Sequence, residues 1–410
     1  MAFLSLLDSR AKPKGSRDPL GFEQVWTYFG RKVVGNLTTI TSSVENFAVA
    51  LLGFHWAHQL NAHLSDEDRH KAIRHSFLRY EQVAGYLRKS HPNSVMGILR
   101  VTQRFEDSQI PLGVTTEAMI LSDQVSYGLW GLYSDSMRNS GLVEGSDRII
   151  TPSAKEIAEL IERHLDVEGL KSVLNQNYLS QSDIAQYSDS FYAAVNHETV
   201  VDELVNLLLT GTDRKGIQAE LWQHTQALNT SGLLPTERKS WLGDFITRIQ
   251  DKDVSPDLRS QLTKISDVER VLVAINNILQ YLRSQNGSSI EDIVIKLEEQ
   301  AYSYMHLPTI LPIDDFPRKS YIEATLVALK SNDYRMAIDH ILELNKVVML
   351  QRGGAPWLNR VAGGSLSVKV PTEGKILLTQ QQLESNWDYD YFLSSYLTLA
   401  TKFLKREQHG

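Results

Sequence analysis

Six of the twelve histidines fall between His55 and His91, and His55 and His58 stand three residues apart. On a helix that spacing puts both imidazoles on one face, where Asp66 or Glu67 could complete a zinc site. Trp56 sits between them. Histidine beside tryptophan on an apolar helix is also simple packing with one hydrogen bond, and that is the reading adopted, with no metal. Glu373-Gly374-Lys375 follows a strand-like stretch. An E-x-K pair can share a divalent cation with an upstream aspartate and activate water. The nearest upstream aspartate, Asp339, is too distant for that core. Other chemistries are excluded by composition. Gly374-Lys375 lacks the upstream glycine of a phosphate loop, and His197-Glu198 is followed by Thr199, Val200 and Val201 rather than a second metal histidine. There is no G-x-S-x-G elbow and no G-x-G-x-x-G turn. Cysteine is absent, which removes disulfides, thiol nucleophiles and thiolate metal sites.

Arginine and histidine recur in one more pattern. Helical ribonucleases of the higher-eukaryote-and-prokaryote nucleotide-binding class use R-x(4–6)-H, and two stretches are similar: Arg69 to His75 and Arg335 to His340. With twelve histidines and three permitted spacings, chance supplies about as many matches. Arg335 and His340 are therefore the alternative catalytic pair, and an amphipathic helix bearing an exposed Arg and His is the competing reading.

Nucleic-acid contact has its own candidates. Arg10, Lys12, Lys14 and Arg17 place four cations within eight residues around Pro13 and Gly15, a possible phosphate-contacting arm. Arg148 is the one cation of a short hairpin that also holds Glu144 and Asp147. Two aromatic groups could stack bases. Tyr127, Trp130 and Tyr133 have helical spacing, and Trp387, Tyr389, Tyr391 and Phe392 flank two aspartates that would repel phosphate. Both are read as core.

The elements that must position these residues are mostly helices. The chain has 410 residues, 42% hydrophobic and 22% charged, with a net charge of −7, which suits a globular protein and not a uniformly basic coat. Phe22, Val25, Trp26 and Phe29 make one apolar face. The stretch from Val44 to about Ala62 is apolar nearly all round and should be buried. Ser65 to Asp68 resembles a capping box. Helices are expected near 94–107 and 116–139. Short strands should follow at Leu142-Val143 and Arg148–Ile150, then a helix opened by Thr151-Pro152. Successive amphipathic helices fill 180–305. One of them carries Val268, Val271, Leu272, Ile275, Leu279 and Leu282. The segment 307–317 holds three prolines and no helical period, as a linker or inter-domain strap would. Helices near 318–331 and 333–350 precede a hairpin, Trp357–Val361 against Ser365–Val370, and a last helix runs from about Tyr389 to Lys405. Trp357 should pack between the preceding helix, around Ile341 and Leu344, and the last helix's stripe of Phe392, Tyr396, Leu399 and Phe403.

Two resemblances add expectations. Hairpin, then Thr151-Pro152-Ser153-Ala154-Lys155, then an amphipathic helix resembles the end of a winged-helix domain, with Ala154 where those regulators have glycine. Separately, Asp18-Pro-Leu-Gly21, Trp26, Gly30-Arg31 and Asn36-Leu-Thr-Thr-Ile-Thr41 are similar to the start of an uncharacterised bacterial family found near phage-defence genes. Gly353-Gly-Ala-Pro-Trp357 and Tyr391-Phe392-Leu393 are similar to its ending. The matching pieces cover about a fifth of the chain. The resemblance implies a component of a multi-protein defence system and carries no site residue.

The sequence therefore predicts a mainly α, multi-helical protein with a winged-helix-like insert and a small C-terminal β-hairpin. Its segments are an N-terminal helical region 1–92, a winged-helix-like region 93–168, a helical region 169–306, and C-terminal helices plus hairpin at 318–410. The expected role is a non-enzymatic interaction component of a bacterial antiviral-defence complex, bound to other protein subunits and contacting DNA. A helical ribonuclease or nuclease effector is the alternative. No cofactor or metal is expected. The longest apolar stretches fall far short of the about 18 residues of a membrane span, so a cytoplasmic location with no membrane partner is expected.

Overall fold

The computed structural model describes residues 18–92, 95–212, 216–235, 241–361 and 363–407. About 60% of the chain is helical and its sheets have two strands each, which makes the fold mainly α with small hairpins. The chain forms two compact units, both discontinuous in sequence. The first combines Met1–Val33 with Thr230–Tyr391, and the second combines Val34–Asn229 with Phe392–Gly410.

The first unit is built on the helix Pro256–Leu282. Ser255 accepts the Leu258 N–H and Pro256 occupies the first turn, where its missing N–H costs nothing. At about 1.5 Å per residue its 27 residues span about 40 Å. The stripe read from the sequence is buried, and from Val271 to Ile275 every side chain is covered. The helices Phe22–Gly30, Trp241–Gln250, Lys319–Lys330, Tyr334–Gln351 and Gln380–Ser385 pack on it. Each fully buried Leu, Ile or Val contributes about 1.5–3 kcal/mol, so this stripe is a large part of the unit's stability. The hairpin lies at Leu358–Arg360 and Leu366–Val368, paired antiparallel.

Trp357 is seated on the preceding helix, as expected for that side of it. Its N–H donates to Asn345 Oδ1 at 2.9 Å, and the Arg283 guanidinium covers its ring at 4.8 Å. The loop after the long helix anchors the hairpin, with Gly287 N–H donating to Leu366 O and Ile290 N–H to Gly364 O. The final helix's stripe is satisfied within the second unit, where Tyr396 bonds Thr225 at 2.9 Å and Phe403 meets Trp222 edge-on.

The second unit is built on the helix Val44–Leu60, buried from Asn46 to Ala57. Ser43 caps it by accepting from the Asn46 N–H. The helices Asp66–Leu87, Pro152–Glu162, Gln181–Val195 and Glu198–Thr210 pack around it, and Leu393–Glu407 packs on Glu198–Thr210. Gly53 is required by close packing, because a Cβ there would stand 2.5 Å from the Tyr80 ring. Ser65 makes no side-chain cap bond, so the expected capping box does not form.

The helix expected at 116–139 is broken into Gln124–Tyr127, Leu129–Leu132 and Ser134–Asn139. The reason is a distant side chain. Glu81 accepts the Leu129 N–H at 2.5 Å, and a Cβ at Gly128 would collide with that carboxylate. The short hairpin is present at Val143–Glu144 and Ile149–Ile150, and these strands pair only with each other. The strand Gln109–Pro111 pairs instead with Tyr178–Ser180, so no three-stranded winged-helix sheet forms among the described residues. The last helix starts at Leu393, later than expected, because Tyr391 and Phe392 both adopt left-handed backbone (φ 51° and 62°). Consecutive left-handed residues cannot continue a right-handed helix.

Candidate functional site

The catalytic candidates do not converge. Arg335 and His340 lie five residues apart on Tyr334–Gln351, which turns them about 140° from each other. Arg335 Nη2 is held by Glu291 Oε1 at 2.7 Å, which raises the pKa of the guanidinium. At the other match, Arg69 donates to Leu64 O at 2.7 Å. Glu373 and Lys375 are exposed on irregular chain, and Asp339 is engaged by Arg360 at 2.5 Å.

The histidine pair has other occupations. His55 Nε2 is 2.7 Å from Gln59 Nε2 and 3.7 Å from Glu162, while His58 Nε2 bonds the Asp147 carbonyl at 2.8 Å. The Asp66 side chain lies outside the described residues, and among those described no three potential ligands gather as a metal site.

Arg10, Lys12, Lys14 and Arg17 lie outside the described residues. Arg148 turns inward. Its guanidinium sits 4.0 Å from the Trp130 ring and its Nε donates to Ser134 Oγ at 2.7 Å. Burial lowers its pKa. Trp130 and Tyr133 are core residues, as are Tyr391 and Phe392, but Tyr127 is 61% exposed.

The feature that stands out is the proline-containing segment 302–317. It runs inside the first unit rather than between units. Tyr302, Tyr304, Leu307, Leu311 and Phe316 are buried anchors. Tyr302 Oη donates to Leu378 O, and the Tyr304 ring packs on Tyr302 and Tyr334. Phe316 lies 5.0 Å from Phe29. Asp314 is clamped between Lys32 and Lys264, 2.7 Å from each. The two ammonium groups hold its pKa down at about 2. Lys330 Nζ donates to Leu307 O, and Lys319 Nζ to Asp314 O.

A segment so pinned should hide its apolar side chains. Instead Met305 is 86% exposed, Ile310 75% and Ile313 92%. Pro308, Pro312 and Pro317 fix φ along it, so these side chains project from a pre-set backbone. The sequence marked the segment as irregular but not as a surface, because irregular chain has no period from which to read a face. No protein-family model matches the chain, and neither a curated protein nor a solved structure is similar to it.

Proposed function

We propose that the protein is a non-enzymatic, protein-binding component of a bacterial antiviral-defence assembly, with the 302–317 segment as its docking surface for another subunit. The observation that carries the binding role is the rigid display of Met305, Ile310 and Ile313. Large apolar side chains kept in water are a cost to the isolated protein that a partner removes. A backbone held by prolines and ion pairs loses little entropy on docking, which favours affinity. Methionine and isoleucine suit an apolar groove on the partner. The assignment to antiviral defence rests on the sequence resemblance alone. Duplex contact through Arg148 is not part of the proposal, because its charge is spent on Trp130 and Ser134.

The test is affinity purification of the tagged full chain from its native host with quantitative mass spectrometry, beside a Met305→Asp/Ile313→Asp variant. A stoichiometric protein partner should be retained by the wild type and lost by a variant that melts at the same temperature. Equal partner recovery with both chains would overturn the proposal.

A further inference from the structure

A cleft of about 650 Å³ opens in the second unit, lined by residues from four distant stretches of sequence. Its volume is typical of sites for small organic molecules. Ser42 and Ser43 precede the helix Val44–Leu60, Ser90 and His91 follow the helix Asp66–Leu87, Tyr192 and Asn196 end Gln181–Val195, and Lys402 with Phe403 comes from the final helix. These groups were not legible together in the sequence, since about 360 residues separate Ser42 from Lys402.

The lining carries one carboxylate, Glu45, and one ammonium, Lys402. Glu45 is matched by Arg88 at 2.5 Å. Arg88 is almost wholly buried, and its Nε and Nη1 are spent on Ala84 O, Glu45 and Asn46. Lys402 is exposed and makes no ion pair with a described residue. Three serine hydroxyls and the Asn196 amide add neutral hydrogen-bonding groups. A flat surface lies beside them. His91 stacks on Tyr192 with ring centroids 3.6 Å apart and planes 10° from parallel. His91 is exposed, and Tyr192 covers one face of its ring. Val201, Val205 and Phe403 supply apolar wall.

We propose that this cleft binds a small phosphate ester carrying a flat ring, with Lys402 and the serine hydroxyls on the phosphate and His91 under the ring. An ammonium and several hydroxyls meet the acceptors of a phosphate, and stacking on an aromatic face tolerates many rings. The site lies in a different unit from the docking segment, so its test does not depend on the proposed function.

Binding is measured on the full chain by calorimetry with AMP, GMP, CMP and UMP, and with adenosine and inorganic phosphate as separate probes. At least one monophosphate should bind below millimolar Kd, and about tenfold more tightly than either adenosine or phosphate. Lys402→Ala should weaken it about tenfold and reduce its salt dependence. His91→Ala should weaken the monophosphate but not phosphate. Both side chains are exposed, so both variants should melt like the wild type. Failure of all four monophosphates at 10 mM would overturn the proposal, as would adenosine or phosphate binding as tightly as AMP. Unchanged affinity in Lys402→Ala would also overturn it.

Discussion

Glu269 lies in the middle of the first unit's long helix and is buried. Its Oε1 accepts the backbone N–H of Asp388 and of Tyr389, and Oε2 lies 2.9 Å from Tyr391 Oη. Burial pushes its pKa up to about 8, and the neighbouring Asp388 adds to the rise, against the hydrogen bonds that favour the anion. Unfolded, the group would titrate near 4.5. Between those values the folded protein holds one proton more than the unfolded chain. The stabilisation is therefore complete below pH 4.5 and is lost as pH rises through 8. Each pH unit removes about 1.4 kcal/mol, and the whole interval about 5 kcal/mol.

Glu269→Gln separates charge from shape. Glutamine keeps a carbonyl oxygen for the two amides and places an N–H₂ opposite Tyr391 Oη, as the protonated acid places its O–H. The variant should match the wild type within about 1 kcal/mol at pH 4.5, exceed it by about 2 kcal/mol at pH 6, and exceed it by about 5 kcal/mol near pH 8. The assay is hydrogen exchange of the core amides of Pro256–Leu282 from pH 4.5 to 9, corrected for intrinsic rates. Glu81, pushed up to about 7 by burial in the second unit, contributes its own slope there, so the first unit must be read locally. Parallel stability–pH curves for variant and wild type would refute the reasoning. So would a loss of more than about 3 kcal/mol in the variant at pH 6, which would mean the anion is the structural form.

Trp357→Ala should cost about 3–5 kcal/mol, because the indole is buried under Arg283 and beside Asn345; thermal melting checks it, and an unchanged midpoint would contradict the packing. Gly53→Ala should destabilise by about 1–3 kcal/mol, since its methyl must displace the Tyr80 ring between two packed helices; denaturant midpoints measure this. Arg148→Ala should lose about 1–2 kcal/mol from the Trp130 and Ser134 contacts while leaving duplex affinity and its salt slope unaltered in anisotropy titrations.

Much of the helical fold was legible because it follows from local chemistry. Thr151-Pro152 combines a side-chain acceptor with a fixed φ and opens a helix where expected. The Val268–Leu282 stripe has one period and is buried on it. What could not be read locally was decided by distant groups. Glu81 breaks the stretch around Gly128 from 48 positions away. The strand Gln109–Pro111 is too short to alternate, and its partner lies beyond five intervening helices. The final helix shows a clear apolar stripe, but periodicity says that a face is buried and not against what. The 302–317 segment was marked by its prolines, while the exposure of Met305, Ile310 and Ile313 depends on which neighbours Tyr302, Leu307 and Phe316 find.

The two displaced carboxylic acids bear on the question of catalysis. Buried acids with raised pKa values cluster at active sites, so Glu81 and Glu269 would attract attention in any search for a general acid. Their partners argue for another role. Glu81 takes the Leu129 amide and the Gln124 side chain, and Gln124 in turn donates to Leu78 O. Glu269 takes two successive amides on Oε1, and its Oε2 shares a hydrogen bond with the Tyr391 hydroxyl. In each case the acid stands where the backbone leaves regular helix, at Gly128 or at the irregular run 386–392, and accepts N–H groups that no helical carbonyl reaches. An unpaired buried N–H costs about 1–3 kcal/mol, so a neutral acid that satisfies one or two of them offsets its own burial. A general acid must instead present its proton to a substrate within hydrogen-bond reach. Glu81 is closed off from any such approach, and at Glu269 the proton lies toward Tyr391, itself fully buried. The energetics that shift these acids are those of holding irregular backbone in a helical core.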